Sequence, residues 1–214
     1  LQLAPGASEG TFESAEFPLP AFTQLVASWN STTPPGTFVE LSVQVKANGA
    51  WSRWFSYGKW SDNGANIGSV KDQRDEHAVL DVDLLQVLDG AADTVRFKLH
   101  FSLHFSRAPS DLANAVVTPA GHDTGRQASP QVRLVAFTYT PAEPVVRPYV
   151  HEDVALSVPT RAQLPVPDIG RIICSPTSVA MVMNYYGHVE DTEHVAAGAK
   201  DNGAGIYGNW SYNA

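Results

Sequence analysis

Six large apolar residues, Val95, Phe97, Leu99, Phe101, Leu103 and Phe105, alternate without interruption against Arg96, Lys98, His100, Ser102, His104 and Ser106. A period of two places the two sets on opposite faces of a strand, whereas a helix would scatter both around its surface. The segment must therefore be a strand with one face in a core, and a strand needs paired neighbours.

Candidate neighbours lie on both sides. Val39, Leu41, Val43 and Val45 alternate with Glu40, Ser42, Gln44 and Lys46, and Asn48-Gly49 separates that run from an aromatic-rich segment at 51–57, a strong hairpin signal. Further strands are predicted over 23–29, 77–84 and 131–139. Many strands, turns of Gly, Pro, Asn and Asp, and no long helical period between residues 20 and 140 predict a β-sandwich, jelly-roll-like in type. Residues 108–129, with Pro109, Pro119, Gly121 and Gly125, read as a long loop, and Pro141, Pro144 and Pro148 as a stiff linker. The expected organisation is an N-terminal extension (1–19), a sandwich that folds by itself (20–140), the linker (141–149) and a helical C-terminal part (150–214).

Composition limits the functions open to such a chain. Of its 214 residues 43% are hydrophobic, enough for a true core. A net charge of -8 without a basic cluster argues against nucleic acid or an anionic membrane as partner. No run of apolar residues is long enough for a membrane span. One cysteine forms no internal disulfide and suits either redox compartment. Because the chain starts at Leu1 and not Met, it reads as a mature or trimmed form, and a missing signal segment says nothing of compartment. The sparse lysine and abundant Trp, Gly and Pro suit a bacterial, extracytoplasmic protein.

That single cysteine, Cys174, heads Cys174-Ser175-Pro176-Thr177-Ser178. Pro176 belongs in a first helical turn, where its missing N–H costs nothing. Val179, Val182, Met183 and Tyr186 then mark one face of a helix that Gly187 stops. A thiol at the N-terminal end sees the positive pole of the helix and unpaired N–H groups, which favour a nucleophilic thiolate. The alternative is a buried, inert core cysteine.

Residues 158–187 resemble the bacteriocin-leader (double-glycine) peptidase-like family of papain-like cysteine peptidases. The shared elements are Val158-Pro159, Gln163, a variable loop over 165–173, the Cys174 to Ser178 motif, and Asn184-Tyr185-Tyr186-Gly187. Gly208-Asn209-Trp210-Ser211 is similar to a loop that secreted, multidomain members carry after their second helix. The resemblance implies an α+β papain-like domain in which Cys174 attacks a peptide carbonyl and Gln163 donates to the developing oxyanion. It also implies a peptide or protein substrate, no cofactor and no metal, and a base His with an Asp partner in a later β half, downstream of Ala214.

The two histidines nearest the motif do not replace that base. His188 lies fourteen residues from Cys174, roughly 20 Å away at the other end of the helix, and is expected to meet the last helical carbonyls. His194, in a short second helix, reads as a surface residue. In the sandwich, His100 and His104 have a spacing that on a strand separates them by roughly 13 Å, too far for one zinc ion, so both read as solvent-facing. Trp51, Trp54, Phe55, Tyr57 and Trp60 surround Arg53; they either fill the core and its edge or form a stacking surface for a glycan of the cell wall.

Three functions remain: a cysteine peptidase or related amide hydrolase with the sandwich as accessory module; a glycan- or protein-binding module with a degenerate peptidase-like appendage; and a thioester-forming enzyme acting on a non-peptide amide.

Overall fold

A computed structural model describes residues 1–61, 68–103, 129–143, 146 and 153–213. Among the described residues there are ten strands: β1 (Glu9–Glu13), β2 (Phe17–Thr32), β3 (Phe38–Ala47), β4 (Ala50–Trp51), β5 (Phe55–Trp60), β6 (Gln73–Arg74), β7 (Ala78–Asp81), β8 (Leu84–Val87), β9 (Ala92–Ser102) and β10 (Gln131–Pro141). Three helices follow: α1 (Cys174–Tyr185), α2 (Thr192–Ala199) and α3 (Trp210–Asn213).

The two alternating segments are β3 and β9, paired antiparallel over their whole length with Leu41 opposite Leu99 and Val43 opposite Phe97. From Val39 to Val45 and from Val95 to Phe101 the odd-numbered side chains are turned inward, and Val39, Leu41, Val43, Val45, Val95 and Leu99 are wholly buried. Asn48 and Gly49 turn the β3–β4 hairpin with φ of 50° and 80°, the pair of positive values that a two-residue turn asks for.

The expected jelly-roll-like sandwich of two sheets is corrected to one continuous, curled antiparallel sheet of ten strands. The reason is β2, which runs for 16 residues. Its first part pairs with β9 at Phe17 and Pro18, and after an irregularity before Phe22 its later part lies between β8 and β10. One backbone thus serves both walls and the sheet bends around it. Residues 1–19, expected as an extension, are also part of the sheet: β1 lies along β9 and Leu3 joins the core. Only one residue of β1 is even partly buried, so no alternation marks it in the sequence.

The strand expected over 77–84 is instead a hairpin, β7 and β8, with Asp81 opposite Leu84. Its turn begins with Val82 at φ 57°, a left-handed value that a β-branched residue strongly disfavours. His104, Phe105, Ser106, residues 108–128 of the predicted loop, and Pro144 and Pro148 of the linker lie outside the described residues.

In the C-terminal part α1 and α2 contact each other and bury small residues, Ala180 from α1 and Ala196 and Ala199 from α2. The apolar stripe of α1 marked by Val179, Val182, Met183 and Tyr186 is not the covered face. Pro176, Thr177 and Ala180 are covered, whereas Val182 and Tyr186 are 53% and 73% exposed. Small residues allow two helices to approach closely, which larger ones at those positions would prevent. Among the described residues no helix is long and apolar enough to cross a membrane.

Val82→Gly should raise stability by about 1 kcal/mol, because glycine adopts the turn without the left-handed cost. A higher urea midpoint at constant m-value checks this; a lower midpoint would mean that the valine side chain contributes more by packing than it costs in backbone strain.

Candidate active site

Helix α1 starts at Cys174, with Ile173 just outside it in a non-helical conformation and no side chain capping the end. Its first bond runs from the Thr177 N–H to the Ile173 carbonyl (3.0 Å), and the Thr177 hydroxyl donates to the same oxygen (2.7 Å). The Ser178 hydroxyl donates to the Cys174 carbonyl at 3.0 Å. Since Pro176 has no N–H, Cys174 and Ser175 supply the open amides of this turn. The Cys174 thiol is free and exposed. The first turn therefore presents a sulfur beside hydrogen-bond donors, on a helix anchored beneath by buried Pro176 and Thr177.

Gln163 is half-buried in the loop before the helix, where its side-chain N–H₂ donates to the Gly170 carbonyl at 2.8 Å. The loop is compact: Val166 N–H donates to the Gln163 carbonyl and Gly170 N–H to the Val166 carbonyl. Gly170 is required there, because a Cβ would meet the carbonyl oxygens of Gln163, Val166 and Leu164 at 2.6–2.9 Å. One amide hydrogen of Gln163 is thus occupied in orienting the side chain, and the other has no acceptor among the described residues.

His188 meets the end of α1 through its backbone. Its N–H donates to the Met183 carbonyl (2.9 Å) and that of Gly187 to the Asn184 carbonyl (3.0 Å), a Schellman closure with Gly187 at φ 88°. His194 is 77% exposed and its Nδ1 lies 3.0 Å from Glu190 Oε2. His100 lies on the outward face of β9, partly covered and edge-on to the Phe38 ring with 5.6 Å between centroids. Among the described residues no group of three His, Cys, Asp or Glu side chains is placed to hold a metal ion.

Sequence reasoning missed how this part is fastened to the sheet. Asp201, fully buried after α2, accepts five hydrogen bonds: from the Ser69 N–H (2.9 Å) and hydroxyl (2.7 Å), the Gly203 and Ala204 N–H groups (2.9 and 3.1 Å), and the Asn209 side-chain amide (2.8 Å). Burial by itself would raise the Asp201 carboxyl, but hydrogen bonds, those of Ser69 and Asn209 foremost, hold it below the ordinary carboxylate value. Gly203 lies so close to Ser69 that a Cβ there would collide with the Ser69 backbone. Beyond it, Tyr212 enters the core of the sheet, packing against Trp29 and Trp60 with ring centroids 5.8 and 5.4 Å away, and its hydroxyl donates to the Tyr57 carbonyl. The expectation of a sheet core complete without the C-terminal part is thereby corrected. Asp83, in the β7–β8 turn, accepts the N–H of Trp210 through a short hydrogen bond. Burial, with the nearby Asp201 and Asp81 charges, pushes the Asp83 carboxyl above its usual value.

Residues 7–139 match the family described as the Peptidase C39 N-terminal domain, and residues 155–214 match the Peptidase_C39 like family. Searches of curated proteins and of solved structures gave no significant match.

The two carboxylates at the junction should respond oppositely to loss of charge. Asp201→Asn sets an amide N–H₂ against N–H donors and should cost about 2–3 kcal/mol. Asp83→Asn keeps an acceptor for Trp210 and removes repulsion from Asp201, so it should be neutral or stabilising. Because the Asp201 carboxyl titrates lower folded than unfolded, its contribution is complete above the ordinary value of about 3.9 and is lost as pH falls through the folded value. Chemical denaturation of the three proteins between neutral and acid pH checks both signs; equal losses for the two variants would show that the five-bond arrangement is not the fastening.

Proposed function

The chain belongs to the Peptidase C39-like family, with the C39 N-terminal domain ahead of the peptidase-like segment, and on that premise we propose that it is the nucleophile-bearing part of a papain-like cysteine peptidase or amide hydrolase. The observation that carries this reading is the free, exposed Cys174 thiol at the uncapped first turn of α1, inside the matched segment. In the proposed reaction the base takes the Cys174 thiol proton as the sulfur adds to a peptide carbonyl carbon, and the negative charge that develops on oxygen is met by the Cys174 N–H and the unoccupied amide hydrogen of Gln163. Collapse expels the amine, which takes a proton from the base, and leaves an acyl thioester. Water then hydrolyses the thioester and regenerates the thiol.

The base must lie within hydrogen-bond reach of the sulfur. His188 is at the other end of α1 and His194 lies on the surface beside Glu190; the family resemblance implies a base histidine, oriented by an aspartate, in a later part of the peptidase domain. We assign residues 1–143 to the accessory domain, residues 153–213 to the peptidase-like part, and the protein to a location outside the cytoplasm.

Cys174→Ser should abolish turnover in the parent protein while shifting stability by no more than about 0.5 kcal/mol, as at an exposed position. Gln163→Ala should lower kcat by about 10²-fold or more, and the double replacement of His188 and His194 by Ala should leave it largely unchanged. Residues 1–214 alone should be alkylated at Cys174 in the folded state yet hydrolyse no peptide. Kinetics on a panel of peptide and non-peptide amides checks the set. Full activity of the Cys174→Ser parent would leave the segment a degenerate appendage, and loss of activity with His194→Ala would make His194 the base.

A further inference from the structure

The outward face of β3 and β9 carries an array that neither the core nor the Cys174 chemistry uses. Even-numbered residues point that way, and residues 51–54 fold over them. The Arg96 guanidinium carbon lies 4.6 Å from the Trp51 ring centroid and 5.2 Å from that of Trp54. The Lys98 ammonium sits 4.5 Å over Trp54 and the Lys46 ammonium 5.4 Å over Trp51. Cation and indole thus alternate along the surface.

Stability does not call for two tryptophans here. Phe55 and Tyr57, next in the chain, are wholly buried, whereas Trp51 and Trp54 lie outside the core and stay partly accessible. Leaving an indole partly in water forgoes about 25 cal/mol for each Å² not buried, and stacked cations at exposed sites return only about 0.5–1 kcal/mol apiece. The array is also held rigid before anything binds. Arg96 pairs with Glu13 at 3.0 Å and donates through Nε to the Gln44 side-chain oxygen at 2.8 Å, and the Gln44 amide donates to the Ser52 carbonyl at 2.6 Å. A surface of fixed rotamers loses little entropy on binding.

Its charges select the ligand. Glu13 is taken by Arg96, Glu16 lies 3.9 Å from Lys46, and Glu40 accepts from the Ser56 hydroxyl. Lys98, and farther along the same face Lys59, 4.8 Å over the Phe38 ring, have no carboxylate partner among the described residues. We propose that this face binds a carboxylate-bearing polysaccharide. The apolar faces of its pyranose rings lie against the parts of the Trp51 and Trp54 rings that the stacked cations leave accessible, and its hydroxyls meet Arg96 and Glu13. Its acid groups reach the ammonium groups of Lys98 and Lys59. Successive outward residues of a strand are about 7 Å apart, so the face suits a short stretch of an extended chain. A neutral glycan would leave both ammonium groups unused, and an acidic peptide would leave the indoles without a flat partner.

The test titrates the full chain with oligogalacturonate, following tryptophan emission and heat of binding, beside a neutral xylo-oligosaccharide, polyglutamate and an oligothymidylate. Saturable binding of oligogalacturonate is expected, weaker at high salt, and reduced about tenfold or more by Trp54→Ala. Lys98→Gln should weaken it at an unchanged melting temperature, which keeps the test decisive should Trp54→Ala unfold. Cys174→Ser should bind like the unsubstituted chain, so this inference and the peptidase reading fail separately. Stronger binding of the neutral sugar, of polyglutamate or of the oligonucleotide would overturn the proposal, as would no binding to oligogalacturonate or binding that Lys98→Gln leaves unchanged.

Discussion

The arrangement of this chain depends on one buried carboxylate. Asp201 is surrounded by donors from two regions separated by 132 residues in sequence, Ser69 in the loop that follows the Gly68 bridge to β5, and Gly203, Ala204 and Asn209 in its own loop. A buried charge without partners costs several kcal/mol; with five donors it becomes a fixed point. Gly203 then brings the two backbones together and Tyr212 completes the sheet's core. The helical part buries few large side chains of its own, chiefly Ile173, so its position rests on this attachment.

From that fixed point the geometry passes to the thiol. α3 contacts both β2 and α1, and α1 carries Cys174 at its uncapped end. The helix has two unlike faces. Its small residues are covered, while Val179, Val182, Met183 and Tyr186, with Trp210, line an open groove of about 560 Å³. Loop 163–170, which precedes the helix in the chain, is closed by Gln163 on Gly170.

The sheet shows the same separation of tasks. The odd-numbered residues of β3 and β9 form a core that is nearly all aliphatic and aromatic, and the even-numbered residues build the cation–indole array on the other side. A strand can do both because successive side chains point to opposite faces. The long β2 joins the walls of the curled sheet, which leaves its interior continuous and able to receive Tyr212.

Local pattern determined what local physics controls. Alternation at 39–46 and 95–102 specified strands and their buried faces, Asn48-Gly49 specified its hairpin, and Cys174 to Ser178 with Gly187 specified a helix and both of its ends, because backbone geometry at these sites follows from neighbouring residues. Only the tertiary structure decided the rest. β1 has no apolar rhythm and exists because the edge of β9 needed a partner; Val82 takes a turn that its own preferences oppose. The face of α1 that turned inward was chosen by what α2 could approach, and periodicity marks a stripe without saying what covers it. The union of Asp201 with Ser69, and of Tyr212 with Trp29 and Trp60, joins residues remote in sequence, so no window of the chain contains the complementarity that makes them meet.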